Sequence, residues 1–167
     1  MKANLLRSIL ALAACGGCSI AVAQSSADRA EDGRFEPRSL VGSWTVQVTQ
    51  VDCGTGAPLG SPFLSMLTFG EGGTAVETTS NPMFFPAVRG PGHGAWSFAH
   101  DHSYKAVTVA FITLNGVLVK TQTITQTIEL DGDADAFKTT SASVVIVPVA
   151  GGPTITGCAT AEGKRIE

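Results

Sequence analysis

Asn115-Gly116 lies between two long runs of β-branched and aliphatic residues, 104–114 and 117–130. Asn-Gly between such runs is the strongest short hairpin signal, because a type I′ turn needs positive φ at both central positions and these two residues tolerate it best. A chain committed to that hairpin must bury at least one face of two long strands, and its other segments show how. Residues 44–49 alternate strictly, with Trp44, Val46 and Val48 on one side and Thr45, Gln47 and Thr49 on the other, the period of a half-buried strand. Runs 63–69, 74–79, 95–99, 136–147 and 154–159 have the same character. Turn clusters separate them: Asp52-Cys53-Gly54-Thr55-Gly56, Gly70-Glu71-Gly72-Gly73, Asp101-His102-Ser103, Asp131-Gly132-Asp133-Ala134-Asp135 and Gly151-Gly152-Pro153. The spacing predicts about eight strands in an all-β meander, and no segment carries a helical period. Antiparallel strands in that number are better closed than open, since closure removes unpaired edges. The predicted fold is therefore an all-β, up-and-down antiparallel barrel of about eight strands, occupying residues 40–167.

The chain ahead of the barrel reads as a targeting leader. Lys2 and Arg7 form a positive region, an apolar stretch follows, and Ala21-Val22-Ala23 places small residues before Gln24. Residues 1–23 are expected to be a signal peptide, with 24–39 a polar, flexible segment. The apolar stretch is too short, and too broken at Gly16 and Gly17, to span a membrane. An alternative is open: Leu12-Ala13-Ala14-Cys15 has the form of a lipobox, which would anchor the chain by a lipid on Cys15. Either way the chain is exported, to the periplasm or the exterior, or held on a membrane as a lipoprotein. In that oxidising setting the cysteines beyond the leader, Cys53 and Cys158, are expected to pair. The bridge would tie the end of the first strand to the last.

Charge excludes one class of partner. Only 15% of the residues are charged and the net charge is −3, with no basic stripe, so the footprint of a nucleic-acid binder is absent. At 44% apolar over 167 residues, the chain can bury a core without a metal. No cofactor is implied by any motif.

Candidate site residues are few. His93, His100 and His102, with Asp101, are the one cluster with metal-ligating chemistry, but their spacing matches no closed zinc site, and a solvated turn is the preferred reading. Asp131 to Asp135 resembles the start of a calcium loop, yet Ala136 and Ala142 stand where an EF-hand needs glycine and glutamate. Residues 81–94 hold three prolines and three glycines, which argue against a central strand. A loop of that length suggests a lid, carried by Phe84 and Phe85. On strand 117–130, placing Ile124 and Ile128 inward also puts Gln122 and Gln126 inward. Buried amides need partners, so these two mark an internal network or a ligand site.

Gly42-Ser43-Trp44, opening the first strand, resembles the Gly-x-Trp signature of the calycin, or lipocalin-like, superfamily. Gly94-Ala95-Trp96, followed by Tyr104, repeats the pattern on a middle strand. The run as a whole is similar to exported bacterial proteins with a lipocalin-like domain. The resemblance implies a barrel with an apolar cavity and an arginine near the last strand stacked on the signature tryptophan. Arg165 is the choice here, because a planar guanidinium stacks well on an indole. One departure stands out: lipocalins carry a helix before the last strand, and Gly151-Gly152-Pro153 leaves no room for it.

The function expected is binding of a small apolar or amphipathic molecule, with Trp96, Phe98 and Tyr104 near the cavity and Phe84 and Phe85 over it. Two alternatives are a barrel enzyme of isomerase or cyclase type, acting through His100 or His102 and a carboxylate, and a filled barrel serving as a structural or surface-interaction module. A cavity well below about 300 Å³ would remove the carrier reading.

Overall fold

The computed structural model describes residues 39–167; the expected leader, Cys15 and residues 24–38 lie outside the described residues. Eight strands form: β1 (Gly42–Val51), β2 (Phe63–Gly70), β3 (Thr74–Thr79), β4 (Val88–His100), β5 (Ser103–Leu114), β6 (Val117–Leu130), β7 (Ala136–Pro148) and β8 (Ile155–Arg165). Each pairs antiparallel with the next, and β8 pairs with β1 to close the barrel. The predicted fold class is thus observed, and the architecture is consistent with a calycin-like barrel. Among the described residues the one helix is a single 3-10 turn, Pro82–Phe84. No helix there is long and apolar enough to cross a membrane. The Asn115-Gly116 hairpin forms as expected, with both residues at positive φ.

The barrel has two unlike ends. At the base, Trp44, Phe69, Phe137, Ile128 and Leu40 are fully buried. Trp44 and Phe137 meet edge to face at 5.0 Å, and Phe69 packs in the same way on Trp96 at 6.0 Å. Such T-shaped contacts suit the ring quadrupoles and fill this end with side chains. The Trp44 indole N–H donates to the Leu40 carbonyl at 3.0 Å, so its polar edge is satisfied inside the plug.

Arg165 seals the base from outside. Its guanidinium carbon lies 4.2 Å from the Trp44 ring centroid. Its N–H groups donate to the carbonyls of Ala134 (2.9 Å), Val41 (2.7 Å) and Ser39 (2.9 Å). The Gly-x-Trp signature has a physical reason here. Gly42 sits at φ +135°, and a Cβ there would stand 2.6 Å from an Arg165 nitrogen. Only glycine permits both the backbone angle and the approach.

Cys53 and Cys158 form a disulfide, which fits an exported chain. It lies at the other end of the same β1–β8 seam, where Val51 pairs with Cys158, whereas Trp44 pairs with Arg165 at the base. First and last strands are therefore fastened at both ends.

One expectation about elements is corrected. Residues 88–94, read as loop because of their prolines and glycines, are the first half of β4. Pro91 is accommodated at a register irregularity between Arg89 and Gly92 in the β4–β5 pairing. On its other side, β4 pairs with β3 only from Gly92 onward, so no ladder partner awaits the missing proline N–H. This places Arg89 and Gly92 inside the barrel wall.

Candidate functional site

Above the plug the barrel encloses a cavity of about 700 Å³. Its two walls differ. From β7, β8 and β1 come apolar side chains, among them Val144, Ile146, Ala159, Val46 and Val48. From β2 to β6 come apolar side chains too, Leu67, Ile112 and Ile124 among them, but also the polar or charged Ser65, Glu77, Arg89, Thr108, Gln122 and Gln126.

The polar wall is built on one row of registered residues. Glu77 on β3 faces Gly92 on β4, Gly92 faces Ala110 on β5, and Ala110 faces Gln122 on β6. The two middle members have almost no side chain, which leaves a trough across two strands. Arg89 lies in it. It donates through Nε to the Gln122 amide oxygen, through one terminal nitrogen to Glu77, and through the other to the Gly90 carbonyl at 3.2 Å. Its side chain is 2% exposed and that of Glu77 is 9% exposed. A Cβ at Gly92 would stand 2.7 Å from a Glu77 oxygen and 3.3 Å from an Arg89 nitrogen, so the trough needs glycine. Ser65 donates to the Thr78 carbonyl and approaches the other Glu77 oxygen at 3.4 Å. A buried ion pair survives only when its remaining lone pairs and protons find partners, and here they do.

Next to this pair the satisfaction ends. Thr108 is 1% exposed, and its hydroxyl has no hydrogen-bond partner. It stands opposite Ile124 on β6, with Gln122 and Gln126 two residues to either side. Gln126 accepts from Thr139 at 3.3 Å. The amide nitrogens of Gln122 and Gln126 donate to none of the described residues.

The residues expected from sequence divide between the two ends. Gln122 and Gln126 are buried and line the cavity, on the inward parity expected for them. Phe84 and Phe85 line its mouth, with Phe85 87% exposed. Trp96, Phe98 and Tyr104 do not line it. Because β4 begins at Val88 and runs from mouth to base, Trp96 falls late in the strand and joins the plug, donating to the Gly70 carbonyl at 3.0 Å. Tyr104 packs on it at 5.7 Å, and Phe98 sits at the outer edge of that cluster, exposed. Trp44 and Arg165 occupy the base as described. His93 is on the outer face of β4, while His100 and His102 flank the β4–β5 turn; all three are exposed, so none reaches a molecule in the cavity. Among the described residues no three His, Cys, Asp or Glu side chains gather as a metal site.

Arg89, Glu77, Thr108 and Ser65 were not singled out from sequence. Arg89 lies in a stretch whose prolines and glycines read as loop, and Glu77 sits between Val76 and Thr78 on a short strand, where solvent is the default partner for a carboxylate.

At the mouth, the β1–β2 connection is ordered by Asp52. Its carboxylate accepts from the Thr55 backbone N–H (2.8 Å), the Thr55 hydroxyl (2.9 Å) and the Gly54 N–H (3.0 Å). These bonds, led by the Thr55 N–H, hold its pKa below the ordinary value of 3.8. Comparison with protein-family models, curated proteins and solved structures finds no match for this chain.

Proposed function

We propose that the barrel is a lipocalin-like carrier that takes one small, mainly apolar molecule into its cavity. The observation that carries this reading is the cavity itself. Its volume of about 700 Å³ falls within the range of ligand pockets, roughly 300–1,000 Å³. It also has the make-up such pockets share, apolar walls with a few convergent polar groups. A barrel serving only as a structural module would be expected to fill this space with side chains, as the base does.

Both tryptophans lie in the plug, so the ligand must supply the signal. The neutral probe N-phenyl-1-naphthylamine is expected to bind saturably with enhanced fluorescence. Val144→Trp, which fills the apolar wall, is expected to abolish that enhancement while leaving the far-ultraviolet circular dichroism unchanged. A folded wild-type protein that gives no saturable enhancement with this probe would sink the proposal.

A further inference from the structure

We infer that the cavity selects molecules bearing an uncharged hydrogen-bond acceptor, such as a ketone or ester carbonyl, over molecules bearing a carboxylate. This rests on the carrier reading above and specifies the chemistry of its ligand.

Three charged side chains line the cavity: Glu77, Arg89 and Lys120. Two of them cancel. The Arg89 guanidinium is held by Glu77 on one side and by the Gln122 amide oxygen on the other, so its charge is already compensated. A ligand carboxylate brought to Arg89 would also stand against the Glu77 carboxylate, and like charges juxtaposed at a buried interface are strongly disfavoured. Lys120 pairs with Pro148 at the end of β7 and with Ile112 on β5, one step from Gln122 toward the mouth on the same face of β6, so it stands above the polar row rather than beside Thr108. What the inner wall offers instead is neutral. The Thr108 hydroxyl is buried and unpartnered, and the amide nitrogens of Gln122 and Gln126 flank it with protons to give. A buried polar group left unpaired costs free energy, and a ligand that pairs with it recovers that cost. One carbonyl oxygen brought to Thr108 would accept from its hydroxyl, once the side chain turns that hydroxyl from its occluded position toward the cavity, and from a neighbouring amide. The apolar wall of β7, β8 and β1 would meanwhile cover the hydrocarbon.

The test is displacement of N-phenyl-1-naphthylamine at pH 7.5 by a matched ten-carbon set: 2-decanone, decanoate and decane. The ketone is expected to compete about tenfold better than decanoate. In Thr108→Val, which keeps the shape and removes the hydroxyl, ketone affinity is expected to fall about fivefold, the size of one neutral hydrogen bond, with decane unaffected. In Glu77→Gln the Arg89 charge is uncovered, and the preference is expected to invert toward decanoate.

Probe binding with decanoate equal to or better than the ketone would overturn the selectivity and leave the carrier reading standing. So would a Thr108→Val variant that weakens all three competitors alike, or none. Decanoate binding that is strong in the wild type and lost in Lys120→Met would assign the head group to the mouth, also against the inference. Absence of any probe binding would overturn both. Should Glu77→Gln fail to fold, Thr108→Val alone still decides.

Discussion

Arg165 uses every arm of its guanidinium. The flat face covers Trp44, and the N–H groups reach the Ser39 and Val41 carbonyls just ahead of β1 and the distant Ala134 carbonyl in the β6–β7 turn. A lysine has one compact ammonium and no plane to stack. Arg165→Lys is therefore expected to lower stability by about 2 kcal/mol, the scale of one or two charge-assisted hydrogen bonds, measured by urea unfolding. An unchanged midpoint would show that the fork is incidental. Asp52 makes a prediction of opposite chemistry. Its folded pKa is depressed, so the charge contributes stability in full above the ordinary carboxylate value and loses it as pH falls through the lowered folded value. The stability difference between wild type and Asp52→Asn is expected at neutral pH and should vanish in strong acid; a difference independent of pH would contradict it. Glu77 shows what single residues hide. Hydrophobicity alone would turn Val76 inward and Glu77 out, yet Ala75 and Glu77 are buried while Val76 is exposed. The trough over Gly92 and the waiting Arg89 reverse the assignment, and both are long-range facts invisible in a six-residue strand.

At the scale of elements, strands with clear alternation and a glycine-marked turn were legible. β1, β5 and β6 were read nearly to their ends because burial on one face dictates period two. β4 was not, since its first half carries Gly90, Pro91, Gly92 and Gly94. Those residues are there to admit Arg89 and a bulge, so the element that forms the site is the one that looks least like a strand. Local rules are expected to fail where function or strain overrides them. The inward parity of Gln122 and Gln126 was legible, because one assigned isoleucine fixes every second residue of the strand. The disulfide was also legible, from the expected export and from Cys53 and Cys158 being the two cysteines beyond the expected leader. It joins residues 105 apart in sequence. In the loop-entropy account, closing so long a loop stabilises by about 4–5 kcal/mol. Replacing both cysteines with serine is expected to cost that much in urea unfolding. A loss below about 1 kcal/mol would mean that the β1–β8 ladder by itself already constrains the ends.

For the molecule as a whole, closure was predictable and the location of the chemistry was not. A meander of about eight strands has few alternatives to a barrel. Which end is filled depends on strand direction and starting point, and the glycines and proline in the first half of β4 conceal where it starts. Of the aromatic residues suited to a ligand, Trp96 and Tyr104 join the plug, Phe98 is exposed, and Phe84 and Phe85 line the mouth. The polar residues that seemed suited to solvent went to the cavity wall.

The base holds one more consequence. Ser39 and Ile166 both bond there, Ser39 through its carbonyl to Arg165 and Ile166 through its N–H to the Ser43 carbonyl. Entry to and exit from the barrel thus leave by the same floor. A group coupled at Glu167 is therefore attached at the floor. A bead, a sensor chip or a fused partner attached there lies at the opposite end of the barrel from the mouth, so this attachment point suits a binding assay on an immobilised sample.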